Sequence, residues 1–262
     1  MNETYRSQVA LLIRIMPLVF RIKDFAVHGG TAINLFHRNL SRYSLDIDLT
    51  YILIADRDKS LKSINAHLAS LKYAIEKAVP GIRVVHKQDV WKLLCTKDGA
   101  TVKIEVNGTK RGIIGDTEKI QLCEKAKKEF GMTCYANIVS WSQLYGGKIA
   151  AALSRQHPRD LFDCRGITGK EFAEVKSGFM LCLLGSDKPI VESLAPNSIN
   201  QSEALENQFE GMTDEPFSYE DYEVSRNNLI ESLIMELMKM TRTFLFRLKT
   251  GRRIGRNAVP VI

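Results

Sequence analysis

The chain has 262 residues, 45% hydrophobic and 26% charged, a globular composition that excludes a disordered chain, a collagen-like repeat and a membrane bundle. Lysine and arginine number 37 against 30 acids, giving a formal charge of +7 and a pI near 9.1, which favours an anionic partner: a nucleotide, RNA or an acidic protein. Five cysteines without a C-x-x-C pair argue against a disulfide framework or a zinc site. The apolar stretch from Val9 to Phe20 carries Arg14 and Pro17 and does not read as a secretory signal. No apolar run approaches the length of about 20 residues that a bilayer requires, so the expectation is a cytoplasmic protein with no membrane partner.

Leu11, Leu12, Ile15, Leu18, Val19 and Ile22 recur at helical spacing and predict a first helix ending near Lys23 and Asp24. Phe25 to His28 reads as a short strand. Gly29 and Gly30 break it, and Thr31 is placed to cap a helix through Ile33, Leu35 and Phe36. Arg42 to Ile54 reads as a strand. Leu61, Ile64, Leu68, Leu71, Ile75 and Val79 predict a helix stopped by Pro80-Gly81. Strands are expected over Ile82 to His86, Val90 to Cys95 and Thr101 to Asn107, the last two joined through the Asp98-Gly99 turn signal.

From residue 140 the pattern becomes helical. Ser140 and Gln143 form a capping box ahead of an apolar stripe that Pro158 closes, and a second helix starts at that proline. Further helices are expected over Gly169 to Leu184 and Tyr222 to Leu248, with a loop-rich connection from Pro196 to Tyr219. Glu203 to Glu223 holds eight acids and no base, whereas Lys239 to Arg256 holds seven bases and no acid; both read as solvated segments. The order of elements suggests a mixed α/β unit with a small sheet followed by helices.

Chemistry concentrates in two places. Along a strand side chains alternate faces, so Arg42, Ser44, Asp46 and Asp48 share one side. Two carboxylates so close repel, and a bound cation, in the first instance Mg²⁺, relieves the repulsion. On the strand from Thr101 to Asn107, Val102, Ile104 and Val106 face the core, and Lys103, Glu105 and Asn107 face away, so Glu105 is available as a third acid. Three such acids suit a two-metal phosphoryl-transfer site. Gly29 and Gly30 let backbone N–H groups approach a phosphate. On the later helix Lys148, Ala152 and Arg155 share a face, small residues beside cations that suit a triphosphate. The five histidines show no ligand spacing and read as ordinary structural or surface residues.

These residues resemble the nucleotidyltransferases of DNA polymerase beta type and, within them, the AbiEii/AbiGii abortive-infection toxin family. The resemblance rests on Gly29-Gly30-Thr31-Ala32, on Arg42-x-Ser44-x-Asp46-x-Asp48-Leu49, and on Lys148-Ile149-Ala150-Ala151-Ala152 with Arg155 and Arg159-Asp160-Leu161-Phe162-Asp163. It spans about residues 25 to 165. It implies an α+β fold: a polymerase-beta-like nucleotidyltransferase domain over residues 1–140 with a small mixed sheet, then a C-terminal helical bundle over 141–262 that contributes the Lys148 helix and the Arg159-Asp160 step.

The resemblance further implies an NTP substrate, two Mg²⁺ ions on Asp46, Asp48 and Glu105, and Lys148 on the nucleotide phosphates. Arg159 and Asp160 would shape the same site, with Gly29, Gly30 and Ser44 bonding phosphate oxygens. Many relatives carry serine directly after the first glycine, whereas here Ser44 is the candidate for that contact, and Glu105 stands where aspartate is common. The implied function is a toxin of a bacterial toxin–antitoxin or phage-defence system. It would transfer an NMP to RNA, first of all a tRNA 3′ end, under the control of a cognate antitoxin. The alternatives are a protein or small-molecule acceptor, and a non-catalytic nucleotide- or RNA-binding module.

Overall fold

A computed structural model describes residues 2–167, 169–186 and 188–249. The end of the basic segment expected over 239–256 therefore lies outside the described residues. Helix α1 (Glu3–Val19), capped by the Asn2 side chain, buries the stripe from Val9 to Val19 and ends sooner than its periodicity suggests, two residues after Pro17. Strand β1 (Phe25–His28) leads directly into α2 (Gly29–Ala32), which continues as a π-helical turn over Ile33–His37. His28, not Thr31, occupies the cap position, and Thr31 lies inside the first turn.

Strand β2 runs only over Asp46–Tyr51, because Arg42 to Leu45 pack away from the ladder. Helix α3 (Arg57–Ala78) is capped by Asp56 and followed by β3 (Arg83–Lys87), β4 (Lys92–Lys97) and β5 (Ala100–Asn107). The Asp98-Gly99 hairpin forms as expected, both residues at positive φ (48° and 80°). Three further elements precede residue 140 that periodicity does not reveal: β6 (Glu118–Gln121), α4 (Glu124–Phe130) and β7 (Tyr135–Ile138).

The seven strands form one mixed sheet in the order β3-β4-β5-β2-β1-β7-β6. Strand β2 is antiparallel to β1 and parallel to β5, and β7 joins β1 in parallel. On one face of β2 and β5, Ile47, Leu49, Val102, Ile104 and Val106 are fully buried, and α1 and α3 cover this side of the sheet. The opposite face of the same strands carries Asp46, Asp48, Lys103 and Glu105, all half-buried. One face thus supplies the core and the other is left for chemistry.

The remaining helices are α5 (Trp141–Arg155), capped by Ser140, α6 (Pro158–Cys164), α7 (Gly169–Leu184), α8 (Ile190–Leu194), α9 (Ser202–Gln208) and α10 (Tyr219–Lys249). The stretch expected as loop from Pro196 to Tyr219 contains α9. Helices α5 and α7 meet at Gly146 and Gly178, where any Cβ would collide with the backbone of the other helix; close approach of two helices needs glycine at such points. Among the described residues the main buried cluster extends from Val9 to Leu233 and joins sheet and helices, and Phe162, Phe209 and Met212 form a second, smaller one. Among the described residues no helix is long and apolar enough to cross a membrane.

Candidate active site

Register across the sheet builds the first half of the site. His28 of β1 lies opposite Asp48 of β2, Asp48 opposite Glu105 of β5, and Glu105 opposite Lys92 of β4. One row further along, Asp46 lies opposite Lys103. Paired residues on neighbouring strands share a face, so the three acids expected from sequence come together, joined by two lysines and a histidine. Lys103 Nζ lies 3.4 Å from Asp46 Oδ2 and 3.1 Å from Glu105 Oε2, and Lys92 Nζ lies 3.0 Å from Glu105 Oε1.

The electrostatics follow from this packing. Burial and the neighbouring Asp48 raise the Asp46 pKa against the pull of Lys103. Burial would also raise Glu105, but its contacts with Lys92 and Lys103 prevail and hold it below the usual range. Burial opposes the charge on Lys103, yet Asp46, Glu105 and Asp48 keep its pKa above normal. His28 is held low by burial, with Lys148 acting in the same direction and Asp48 against it. Among the described residues no three His, Cys, Asp or Glu side chains converge closely enough to enclose a cation.

The glycine pair works by close approach. A Cβ on Gly29 (φ +72°) would stand 2.7 Å from Asp48 Oδ2; one on Gly30 would stand 2.6 Å from an Arg42 guanidinium nitrogen and 2.8 Å from Ser44 Oγ. Thr31 Oγ1 donates to the Asp46 carbonyl (2.5 Å) and lies 3.0 Å from Ser44 Oγ. These contacts fix Ser44 and the start of β2 against the glycine turn. They also explain why the ladder begins at Asp46 instead of Arg42.

The second half comes from α5 and α6. Asp163 is fully buried and receives Arg42 through Nε (2.8 Å) and a terminal nitrogen (2.5 Å), with Lys148 Nζ 3.0 Å away and Asn34 Nδ2 donating at 2.9 Å. Asn34 Nδ2 also donates to the Gly30 carbonyl at 2.9 Å, tying the glycine turn to this cluster. Lys148 reaches Asp160 Oδ1 at 3.0 Å, and the exposed Arg155 reaches Asp160 Oδ2 at 2.8 Å. Burial works to neutralise Asp160 and Asp163, but Lys148 acts on both, with Arg155 on Asp160 and Arg42 on Asp163, and both pKa values are lowered.

Lys148 is thus buried with two of its three donors spent on carboxylates. Arg159 is different: half-buried, near Arg42 and Arg155, it forms no ion pair among the described residues, and burial pulls its pKa down while Asp160 and Asp46 support its charge. Arg42, Lys148, Arg155 and Arg159 against Asp160 and Asp163 leave this half with a charge of +2. Gly29 packs on Asp48 and Gly30 on Arg42, and Asn34 ties the Gly30 carbonyl to Asp163, so the two halves face one another across the glycine turn. Of the candidates named from sequence, Asp46, Asp48, Glu105, Gly29, Gly30 and Ser44 gather on the sheet side, and Lys148, Arg159 and Asp160 on the helical side. His28, Lys92, Lys103, Arg42 and Asn34 join them. For two of these the sequence carries a signal: Lys103 shares a face with Glu105, and Arg42 alternates in step with Ser44, Asp46 and Asp48.

Carboxylates on a mixed sheet opposite an excess of cations are the parts of a phosphoryl-transfer enzyme. The chain belongs to the family described as Nucleotidyl transferase AbiEii toxin, Type IV TA system, whose model matches residues 10–243. It is accordingly an NTP-dependent nucleotidyltransferase of a toxin–antitoxin family. Its fold is similar to that of MenT4, a nucleotidyltransferase toxin from Mycobacterium tuberculosis H37Rv, with a TM-score of 0.63 at 15% identity over 88% of this chain and 84% of that one. Among curated proteins none matches.

Proposed function

We propose that this nucleotidyltransferase moves an NMP from an NTP to the 3′ end of an RNA, first of all a tRNA, in the cytoplasm of a bacterium that holds it in check with a cognate antitoxin. The observation that carries the reading is the facing of two charge surfaces, Asp46, Asp48 and Glu105 on the sheet and the net positive cluster around Arg159 on the helices. The first suits a divalent cation and the second a polyphosphate. The basic balance of the chain favours RNA as acceptor over a neutral small molecule. Residues 1–140 form the nucleotidyltransferase unit in this reading, and 141–262 the helical unit that closes on it.

The donor set fits Mg²⁺. Asp46 and Asp48 offer hard carboxylate oxygens from one face, and Mg²⁺ is commonly held by one or two carboxylates together with substrate phosphates, without an all-protein cage. When bound, the cation supplies charge neutralisation at the reacting phosphate and activation of the attacking hydroxyl. Asp46 and Asp48 would hold it. Glu105, kept ionised by its two lysines, is better suited to complete the cation site than to accept a proton.

Arg159 has its charge to spare for the phosphates. Lys148 lends its field from behind, and Gly29, Gly30 and Ser44 line the turn on which phosphate oxygens rest. The acceptor hydroxyl gives up its proton to solvent, its oxygen forms a bond to the α-phosphorus, and the bond from that phosphorus to the bridging oxygen breaks, so that pyrophosphate leaves with the electron pair.

The test is incubation of the purified protein with each α-labelled NTP, Mg²⁺ and total bacterial RNA. Label in a tRNA-sized band is the expected result and names the base. Label on protein or in a small product, with none in RNA, would overturn the RNA acceptor.

A further inference from the structure

The carboxylate face already contains a cation of its own. Lys103 Nζ stands between Asp46 (3.4 Å) and Glu105 (3.1 Å), on the strand directly paired with the Asp-x-Asp strand. Its side chain is about one third exposed, so its stem lies along the sheet while its ammonium is drawn to the acids. Asp46 makes no other ion pair among the described residues, whereas Glu105 has Lys92 as well.

Resting on the reading of Asp46, Asp48 and Glu105 as a divalent-cation site, we propose that Lys103 is the resident counter-ion of that site. Its ammonium stands where the metal's charge is needed, and the metal must displace it. Three carboxylates on adjacent strands repel when unpaired. The Lys103 ammonium satisfies two of them, Asp46 and Glu105, in the free protein, but with one charge and hydrogen-bond geometry instead of two charges and close coordination. This accounts for acids that share a face without converging into a cage. A lysine in that position lowers affinity for free metal, so the cation enters most readily with a triphosphate, whose charge offsets the displaced ammonium.

The experiment titrates the full chain, without nucleotide, with Mn²⁺ alone and follows free Mn²⁺ by electron paramagnetic resonance. Lys103→Met keeps the length of the stem and removes the charge. It is expected to bind Mn²⁺ about fivefold more tightly than wild type, the upper end of the effect of losing a partly exposed competing ion pair. Lys103→Arg is expected to retain the wild-type affinity. Lys97→Met, which removes a lysine paired with Asp98 beyond the site, controls for the general loss of positive charge, and unchanged thermal midpoints check that each variant folds.

Unchanged or weaker Mn²⁺ binding by Lys103→Met, or equal tightening by Lys97→Met, overturns the counter-ion role alone, provided that Asp46→Asn abolishes binding in the wild-type background. Absence of Mn²⁺ binding from both wild type and Lys103→Met overturns the cation-site reading and the counter-ion role with it.

Discussion

Asp48→Asn is expected to reduce nucleotidyl transfer on the order of a thousandfold, the scale of losing a principal electrostatic contact to the reacting group, and to leave the protein folded. The substitution nearly preserves shape, which matters because Gly29 packs so tightly on Asp48 Oδ2 that even one added carbon would collide. What it removes is the charge at the centre of the row that links His28, Asp48 and Glu105. Asp46 and Glu105 each have Lys103 as partner; Asp48 has no ion pair among the described residues and is the acid most available to a cation. Initial rates of label incorporation, beside a thermal melt, provide the check. A loss below about tenfold in a folded variant would remove Asp48 from the reaction.

A second large effect concerns stability. Asp163→Asn should cost about 3–5 kcal/mol, because it leaves Arg42 and Lys148 buried without the charge that compensates both. Arg42 is 3% exposed and Asp163 fully buried, so water cannot take over. Urea denaturation of the two proteins at neutral pH measures the difference, and a cost under about 1 kcal/mol, typical of a surface pair, would contradict this account of the cluster.

The pH dependence has a definite sign. Asp163 is held well below 3.8, its ordinary value, despite burial, by Arg42 and Lys148. A depressed carboxylate contributes its full stabilisation above the unfolded value and loses it as pH falls towards the folded one. The gap between wild type and Asp163→Asn is therefore constant above about pH 5 and narrows below it.

Chemistry that depends on sequence neighbours is legible in the sequence. Alternation along Thr101 to Asn107 separates Glu105 from the core, the Ser140 capping box starts α5, and Asp98-Gly99 turns the hairpin. The Asp46 and Asp48 pair is local in the same sense. What stays hidden depends on register and long-range packing. Glu105 meets Asp48 only because β5 lies parallel to β2 at one particular offset, and the Arg42–Asp163 pair closes across 121 positions.

The same cause explains one misplaced expectation and one residue that the sequence leaves unmarked. Arg42 and Ser44 read as strand because their alternation is correct, but the guanidinium turns into the helical cluster and Ser44 packs on the glycine turn, which moves the start of β2 to Asp46. His28 carries no signal in the sequence because it meets Asp48 only through the register of a neighbouring strand. Strand β6, Glu118–Gln121, is short and polar and leaves no hydrophobic period to detect.

In the reading proposed above, the Asp46 and Asp48 face transfers the α-phosphate portion of an NTP and releases pyrophosphate. Parallel reactions with the same NTP, labelled at the α- or the γ-phosphate, test it directly. The α-label is expected to enter the acceptor and the γ-label to leave as pyrophosphate, both dependent on Asp46 and Asp48. Transfer of the γ-label to the acceptor would instead make the protein a kinase and contradict it.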